Sequence, residues 1–274
     1  MRFINTRPQD RADRLTQAMQ DAGYQVEHLP LLELIAVPLS EELQQLYQQL
    51  DQVQVIVVVS PTAVDIGMKY LVKSGLNLHQ LAHIRWIAVG QATAKALAQF
   101  GIQSDVPEVE SSEGMLDLPL LKQQSDLQKI AFWRGLGGRQ FMMQQLQQQG
   151  VKIANFVLYH RQCPQQSVFE FPRLLEKMEL DQPVAVLISS EASWKNWLQL
   201  CAQNPCKQKW VYLVLGERLT AILNQAQHSL GNTINIIQLE NLSASEIIQR
   251  MSDWRGRYEK NCLFNIITWL SVVG

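Results

Sequence analysis

The sequence predicts an α/β protein with two similar lobes, and two observations predict it. Short apolar runs alternate with amphipathic helical patterns along the chain, which is typical of βαβ units and a parallel, doubly wound sheet. The order strand, arginine, helix, glycine, strand also occurs twice, in 1–32 and in 128–159. A duplicated unit of this size indicates two lobes, and two lobes form a cleft.

The two copies keep similar spacings. The step from Arg7 to Gly23 is 16 residues, and so is the step from Arg134 to Gly150. Further along each copy, a serine follows one apolar run and a glycine follows the next. These are Ser60 and Gly90 in the first copy, 30 residues apart, and Ser190 and Gly216 in the second, 26 residues apart.

Each element has its own local signal. The runs predicted as strands are nearly continuous and rich in β-branched residues, as expected of strands buried on both faces. They cover 2–5, 53–59, 84–89, 129–133, 184–188 and 211–215. The helical patterns end at glycines such as Gly23, Gly101 and Gly150, and Ser40 is the expected N-cap of another helix. Segments 31–38 and 155–164 break the alternation, and we expect them to be extended connectors.

Composition narrows the functional class. A chain of 274 residues predicts about two domains. The formal net charge of -1 indicates neither a nucleic-acid partner nor an acidic membrane. The four cysteines (Cys163, Cys201, Cys206 and Cys262) lack metal-ligand spacing, so we expect free thiols in a reducing cytoplasm.

The two ends of the sequence give no sign of a membrane protein. Residues 2–13 are too charged to contain the apolar core of a signal peptide. The apolar stretch within 262–274 is about 12 residues long, whereas a membrane span needs about 20. We interpret 252–274 as a tail outside the repeat.

The repeated polar residues are expected where a strand ends and a helix begins. Ligands of doubly wound sheets bind at this edge, and the free N–H groups of helix N-termini favour anions there. Small residues let a ligand approach the backbone closely. The candidates are Ser60, Gly90, Thr93, Ser190 and Gly216. Plain helix capping is the alternative for any one of them.

The segment "RGLGGR" at 134–139 permits two interpretations. A dinucleotide site of the G-x-G-x-x-G type would need glycine at position 140, where Gln140 stands. Arg134 and Arg139 as contacts for carboxylates or phosphates are favoured, with a solvated loop as the alternative. The sequence lacks the common motifs of hydrolases, zinc proteases and P-loop proteins. Tyr159 ends a predicted strand at the second connector, where its phenol could donate a proton, or could simply pack in the core.

Taken together, these features resemble the uroporphyrinogen-III synthase family over residues 2 to about 251. The matching pieces are "NTRP" at 5–8, "VSPTAV" at 59–64, "AVGQATAKAL" at 88–97, "ESSEGMLDL" at 110–118, "WRG" at 133–135, "FVLYHR" at 156–161, "ISSEAS" at 188–193 and "LGERL" at 215–219. Two positions depart from the family pattern. Val59 replaces the usual threonine before the first serine, and Thr220 comes one position later than expected.

The resemblance implies two flavodoxin-like lobes joined by a two-stranded connector, with a cleft between them. The first lobe would consist of 1–35 and 165–251, and the second of 39–157. Segments 31–38 and 155–164 would be the connectors, and 252–274 would lie outside the family fold. The sequence repeats would then not be the physical lobes, because the halves exchange their first βαβ pieces.

The resemblance also implies a reaction. Family members act as lyases in haem biosynthesis: they remove water from hydroxymethylbilane, a linear tetrapyrrole polycarboxylate, and close the ring with inversion of ring D through a spiro intermediate. The resemblance implies no cofactor and no metal. We expect a cytoplasmic monomer that receives its substrate from hydroxymethylbilane synthase.

The residues suit a reaction that depends on positioning. The substrate closes unaided to the uninverted isomer, so the enzyme must hold the chain rather than supply a catalytic triad. We expect Tyr159 to assist departure of the hydroxyl group. The expected substrate contacts are Arg7, Ser60, Pro61, Gly90, Thr93, Ser112, Arg134, Gly135, Arg139, Ser189, Ser190, Gly216 and Thr220. The alternatives are a two-lobe cytosolic binding protein or sensor for an anionic small molecule, and a nucleotide-dependent transferase.

Overall fold

Strands and helices alternate along most of the chain. The structure is a computed structural model that describes residues 1–122, 127–137, 140–180, 182–230 and 235–273. Within these ranges, the side chains of 227–230, 259 and 261–273 are not described.

The strands are β1 (Arg2–Asn5), β2 (Gln25–His28), β3 (Glu33–Ala36), β4 (Val55–Val58), β5 (Arg85–Ala88), β6 (Lys129–Gly135), β7 (Lys152–Gln162), β8 (Val184–Ile188), β9 (Trp210–Leu215) and β10 (Asn235–Leu239). The α-helices are α1 (Gln9–Asp21), α2 (Glu41–Gln48), α3 (Pro61–Lys73), α4 (Gln91–Ala98), α5 (Ser112–Leu116), α6 (Pro119–Lys122), α7 (Phe141–Gln148), α8 (Gln165–Glu176), α9 (Glu191–Gln203), α10 (Gly216–Leu230) and α11 (Ala244–Val273). Short 3₁₀ helices cover Leu50–Gln52 and Leu78–Leu81.

The chain divides into two units. Unit 1 consists of Met1–Glu33 and Gln162–Gly274, and unit 2 consists of Leu34–Arg161. The sheet of unit 1 has the order β10-β9-β8-β1-β2, and each of its neighbouring pairs is parallel. Counted along the chain within this unit, that is the flavodoxin-like order 2-1-3-4-5.

The sheet of unit 2 has the order β3-β7-β6-β4-β5. The pairs β7–β6, β6–β4 and β4–β5 are parallel. Strand β3, from the first connector segment, lies at the edge beside β7, which runs into the second connector segment. An isolated parallel bridge between Ile87 and Asp105 extends the other edge of the sheet.

The predicted α/β class with parallel sheets is confirmed. The strand–helix–strand of the first sequence copy lies in unit 1, whereas the strands that follow it, β4 and β5, lie in unit 2. The predicted strands are present with ends shifted by up to two residues. Strands β3 and β10 and helix α8 add to the sequence prediction.

Both faces of each sheet are buried, which explains the continuous apolar runs. In β1, Phe3 packs with the cluster around Met19 and Ile247, while Ile4 packs with the cluster around Trp197 on the opposite face. Side chains alternate between the two faces of the unit 2 sheet in the same way. Successive residues of β4 belong in turn to two separate hydrophobic clusters.

The glycines that end the repeated helices have a conformational role. Gly23 and Gly150 follow α1 and α7 with φ values of 84° and 85°. This left-handed conformation is accessible to glycine at little cost and closes a helix before the next strand. The interval of 16 residues between the arginine and the glycine in each copy therefore corresponds to one loop and one helix.

Residues 252–273, predicted from the sequence as a tail, continue the helix α11. Within the described residues, no helix is both long enough and apolar enough to cross a membrane.

Candidate functional site

Two hydroxyl groups meet at the carboxyl edge of the unit 2 sheet. Ser60 follows β4 as the N-cap of α3, and its Oγ accepts a hydrogen bond from the Ala63 N–H at 3.1 Å. The same Oγ lies 2.9 Å from the hydroxyl of Tyr159 in β7, and either hydroxyl can donate. Tyr159 is only 1% exposed. Its phenol is connected to the start of α3 through the Ser60 hydroxyl.

Gly135 leaves the space that Tyr159 occupies. The register between β6 and β7 shifts between Arg134 and Gly135, which pairs Gly135 with Tyr159. A Cβ atom on Gly135 would lie 2.5 Å from the tyrosine ring, so only glycine fits without displacing it. The Arg161 guanidinium lies 5.5 Å from the centre of the same ring, within the range of a cation–π contact.

Arg134 is a buried side chain of β6, so the solvated-loop alternative is wrong for it. Its Nη1 lies 3.8 Å from the Met143 sulfur, and its Nη2 donates to the Gly137 carbonyl. Burial lowers the pKa of the guanidinium, and the electrostatic effect of Tyr159 opposes that shift. These contacts place Arg134 beneath the loop that follows β6. Arg139 lies outside the described residues.

A carboxylate of the chain itself lies at the start of α4. Glu110 Oε1 accepts a hydrogen bond from the Gln91 N–H at 2.8 Å. A Cβ atom on Gly90 would lie 2.3 Å from the Glu110 carboxyl carbon, so glycine allows this close approach. Thr93 lies one turn further on and is buried. The edge that the sequence predicts to favour anions therefore accepts a carboxylate from within the chain.

Pro61 and Ser112 occupy first positions of helices. Pro61 opens α3, where its missing N–H costs no intrahelical hydrogen bond. Ser112 is the first residue of α5, but the capping hydroxyl belongs to Ser111, whose Oγ accepts from the Gly114 N–H at 3.0 Å.

In unit 1, Arg7 follows β1 in a loop held by neighbouring polar groups. Its N–H donates to Asn5 Oδ1 at 3.2 Å, and its carbonyl lies 3.0 Å from His28 Nε2. Asn5 Nδ2 also donates to the Ala12 carbonyl at 3.1 Å, while the Thr6 hydroxyl donates to the Leu187 carbonyl. Asn5 and Thr6 are buried, so they fix the backbone next to Arg7.

The serines after β8 begin α9. Ser190 is the N-cap, and its Oγ accepts from the Ser193 N–H at 3.1 Å. Ser193 Oγ accepts from the Ser190 N–H at 3.1 Å, which completes a capping box. Ser189 precedes the cap and is half-buried.

Gly216 begins α10 in a conformation that differs from that of Gly90. Its φ is 75°, and a Cβ atom there would meet nothing within 4 Å, so backbone conformation favours glycine at this position. The Thr220 hydroxyl donates to the Gly216 carbonyl at 2.9 Å, within the helix. The exposed Arg218 of the same helix lies 3.5 Å from Glu191 of α9.

The arrangement is suited to holding anions and donating hydrogen bonds. Helices α3, α4, α9 and α10 all begin at carboxyl edges of the two sheets, and the first N–H groups of a helix have no intrahelical acceptor. Side chains of the protein accept from one of these groups in each of α3, α4 and α9. The described residues hold no cluster of three or more His, Cys, Asp and Glu side chains that could bind a metal ion. The edges thus offer N–H groups, hydroxyls and a buried phenol.

Sequence reasoning did not assign several residues of these edges. Glu110 lies in a quoted motif, but only its contact with Gln91 gives it a role. Asn5 and Thr6 lie within "NTRP", beside the predicted contact Arg7. Polar residues at the end of a buried strand were the signal that could have identified them.

Comparison of the sequence with protein-family models shows the family of the chain. The model of the family described as uroporphyrinogen-III synthase HemD matches residues 13–230, which is well over half of the sequence. The chain belongs to this family. The resemblance stated from the motifs is confirmed, and the binding-protein alternative is not favoured.

Two curated relatives are similar to the chain. A uroporphyrinogen-III synthase from Proteus mirabilis is 30% identical over 166 residues, which cover 59% of this chain and 80% of that protein. A porphyrin biosynthesis protein HemD from Ruminiclostridium josui is 28% identical over 109 residues, which cover 39% of this chain and 22% of that protein. The match therefore spans about a fifth of the length of the second relative.

Solved structures share the fold. A mutant uroporphyrinogen III synthase from Thermus thermophilus matches with a TM-score of 0.61 and 17% identity, covering 95% of this chain and 99% of that one. The Helicobacter pylori uroporphyrinogen-III synthetase matches with a TM-score of 0.55 and 14% identity, covering 93% and 100%. At these identities the likeness supports the fold alone.

Proposed function

We propose that the protein is a uroporphyrinogen-III synthase. It removes water from hydroxymethylbilane and closes the macrocycle with inversion of ring D, giving uroporphyrinogen III. The observation that carries this proposal is the Tyr159–Ser60 hydroxyl pair at the start of α3, in a chain that belongs to this family. The pair places a hydrogen-bond donor at an edge suited to carboxylates.

Substrate binding relies on the strand edges. Each substrate carboxylate needs N–H or cationic donors, and helix N-termini supply such donors without a metal. The Glu110 contact with the Gln91 N–H supports this assignment, because a carboxylate already fits there. Arg7 and the start of α9 supply donors in unit 1, and Gly90 and the start of α3 supply them in unit 2. Thr93 supports this edge from within the core, since it is buried and its N–H donates to the Gly90 carbonyl at 3.1 Å.

The chemical step begins with loss of the terminal hydroxyl group. The bond between the terminal methylene carbon and oxygen breaks, and oxygen leaves with the electron pair and takes up a proton, so that water departs. The Tyr159 phenol assists as a hydrogen-bond donor, in concert with Ser60. The pyrrole stabilises the cation that remains.

Ring closure then depends on geometry. The last ring attacks the cation through its substituted carbon, giving a spiro intermediate, and rearrangement with loss of one proton yields the inverted product. Holding the two ends of the substrate in this arrangement can lower the barrier by several kcal/mol relative to other conformations. Positioning residues therefore matter more than a strong acid or base.

An isomer analysis tests the proposal. The full chain is incubated with hydroxymethylbilane, the products are oxidised, and the uroporphyrin isomers are separated. We expect the type III isomer in excess, formed faster than type I forms in a matched sample without protein. Type I alone, at the uncatalysed rate, would contradict the proposal.

We also propose a cytoplasmic monomer that takes hydroxymethylbilane directly from hydroxymethylbilane synthase. The described cysteines Cys163, Cys201 and Cys206 are free thiols, which fits a reducing compartment. Handover is supported by the chemistry, because the free bilane closes unaided to the wrong isomer. Each unit also buries its own core, as a monomer requires.

A further inference from the structure

Arg161 is an exposed cation near the end of β7 that the proposed reaction does not use. It follows Tyr159 by two positions in the same strand, so the two side chains leave the same face of the sheet. Its guanidinium carbon lies 5.5 Å from the centre of the Tyr159 ring. The positive charge is therefore next to the tyrosine whose hydroxyl pairs with Ser60.

Hydrogen bonds on both sides of β7 fix the backbone that carries Arg161. On the side of β3, the Val37 N–H donates to the Leu158 carbonyl at 2.9 Å. On the side of β6, the Leu136 N–H donates to the Tyr159 carbonyl at 2.6 Å. A side chain on a paired strand is held more precisely than one on a loop. The cation–π contact with the Tyr159 ring restrains the guanidinium further.

The guanidinium of Arg161 has no anionic partner in the chain. Among the described residues, no carboxylate forms an ion pair with it, whereas the exposed Arg85 of the same unit pairs with Asp105 at 2.9 Å. Arg134, the other arginine near Tyr159, is only 6% exposed and donates to a carbonyl of the loop after β6. Of these two arginines, Arg161 is the one available to an anion from solvent.

A carboxylate is the anion that fits both this side chain and the proposed reaction. The planar guanidinium can donate two parallel hydrogen bonds to a carboxylate. The pyrroles of hydroxymethylbilane all carry carboxylate side chains, so the pyrrole with the leaving hydroxyl group brings a carboxylate with it. Ser60, unlike Tyr159, is only partly buried. A pyrrole held through its carboxylate at Arg161 can therefore bring its hydroxyl group to the Ser60 side of the hydroxyl pair.

We propose that Arg161 is a further substrate-binding residue. It pairs with a carboxylate on the pyrrole that carries the leaving hydroxyl group, and it holds this group beside the hydroxyls of Ser60 and Tyr159. Arg161 makes no bond to the reacting atoms, so its contact is the same in the bound substrate and in the transition state and acts on KM rather than on kcat. This inference rests on the proposed synthase function.

Steady-state kinetics of the full chain with hydroxymethylbilane test the contact. Arg161→Gln removes the charge from an exposed side chain, so we expect KM to rise about tenfold while kcat stays within about twofold. Arg161→Lys keeps the charge but loses the planar fork, so its KM should lie between those of the original protein and Arg161→Gln. The difference in KM should shrink as salt rises from about 0.05 M to about 0.5 M, because solvent ions screen an exposed pair.

Lys152→Gln is the matched control. Lys152 is an exposed cation at the first residue of β7, so it lies at the opposite edge of the sheet from Arg161. Its replacement removes one positive charge, as Arg161→Gln does, and should leave KM unchanged. Urea denaturation should show that both variants keep the stability of the original protein, because both side chains are exposed.

Three kinetic results would overturn the inference while leaving the synthase function intact. One is an unchanged KM in Arg161→Gln. Another is an equal rise in KM in Lys152→Gln, which would reflect the net charge of the protein alone. The third is a lower kcat with an unchanged KM, since Arg161 would then act through Tyr159 and not on the substrate.

Failure of the synthase proposal itself is recognised separately, because the original protein would then form only the type I isomer. In that case, titration with uroporphyrin III, followed by its fluorescence, tests the carboxylate contact alone. We expect Arg161→Gln to weaken this binding about tenfold and Lys152→Gln to leave it unchanged. Equal binding to all three proteins, or binding to none, would overturn the contact.

Discussion

Tyr159 shows how much of a single residue's role depends on its neighbours. The sequence singled it out as a phenol at the end of a strand. The structure adds the Ser60 hydroxyl at 2.9 Å and the space left by Gly135. The ring is thus fixed by packing while its hydroxyl belongs to a short hydrogen-bonded pair.

Replacing Tyr159 by phenylalanine tests the proposed role of the phenol. The change removes the donor but keeps the ring in place, so we expect kcat for the type III product to fall roughly 10²-fold. KM should change little, because the substrate contacts remain. Steady-state kinetics with hydroxymethylbilane measure both.

Tyr70→Phe is the matched control for Tyr159→Phe. Tyr70 is another buried tyrosine of unit 2, and its hydroxyl donates to the Val37 carbonyl at 2.6 Å. Loss of the Tyr70 hydroxyl should lower the free energy of unfolding and leave turnover near that of the original protein. Full turnover in Tyr159→Phe would show that the phenol has no part in the reaction.

Among the elements, α3 and β6 depend on one close contact in the core of unit 2. Trp133 of β6 is fully buried against Gly67 of α3, and a Cβ atom on Gly67 would lie 2.2 Å from the indole ring. Tyr47 packs nearby and donates to the Gly67 carbonyl at 3.0 Å. A glycine that is unfavourable for helix propensity is required here by packing.

Gly67→Ala should therefore destabilise the protein although alanine is the better helix former. We expect a loss of about 1–3 kcal/mol in the free energy of unfolding, because the core becomes overpacked. Urea denaturation followed by circular dichroism measures it.

Gly256→Ala in α11 is the control. This glycine is exposed, and an added Cβ would meet nothing within 4 Å, so we expect stabilisation of up to about 1 kcal/mol. Equal and favourable effects of both substitutions would contradict the packing account.

Element prediction from the sequence succeeded where the signal was local. Ser40 was expected to cap α2, and its Oγ accepts from the Leu43 N–H at 3.3 Å. The buried strands were found because their residues are apolar on both faces. Strand β3 lies in the segment predicted as an extended connector. Its place at the sheet edge beside β7 depends on strand pairing, which no local pattern shows.

For the molecule as a whole, partly buried thiols make stability depend on pH. Burial raises the pKa of Cys201 to about 12 and that of Cys163 to about 11, from an ordinary value of 9.0. The stabilising contribution is complete well below pH 9, where both folded and unfolded thiols are protonated. Above pH 9 the unfolded thiols ionise first, so stability falls as pH rises towards the folded pKa values.

We expect the free energy of unfolding, measured by urea denaturation, to fall between pH 8.5 and pH 10.5. The loss is up to about 1.4 kcal/mol per pH unit for Cys201 and smaller for Cys163, because solvent screens the more exposed thiol. Cys201→Ala should make this decrease shallower, whatever its effect at pH 8.5. Cys206→Ala, at another partly buried cysteine, provides the comparison. The same slope for Cys201→Ala and the original chain would exclude this thiol as a cause.

The sequence by itself determined the α/β class, the buried strands, the helix caps and the family, because these depend on residues close together along the chain. Only the tertiary structure decided which strands share a sheet and which side chains meet. Of the first sequence copy, β1 pairs within the sheet of unit 1 and β4 pairs within the sheet of unit 2. The contacts of Tyr159 with Ser60 and of Glu110 with Gln91 join residues 99 and 19 positions apart. No local sequence pattern predicts contacts between residues so far apart in the chain. These contacts form when parallel strands bring their carboxyl ends to one edge of a sheet.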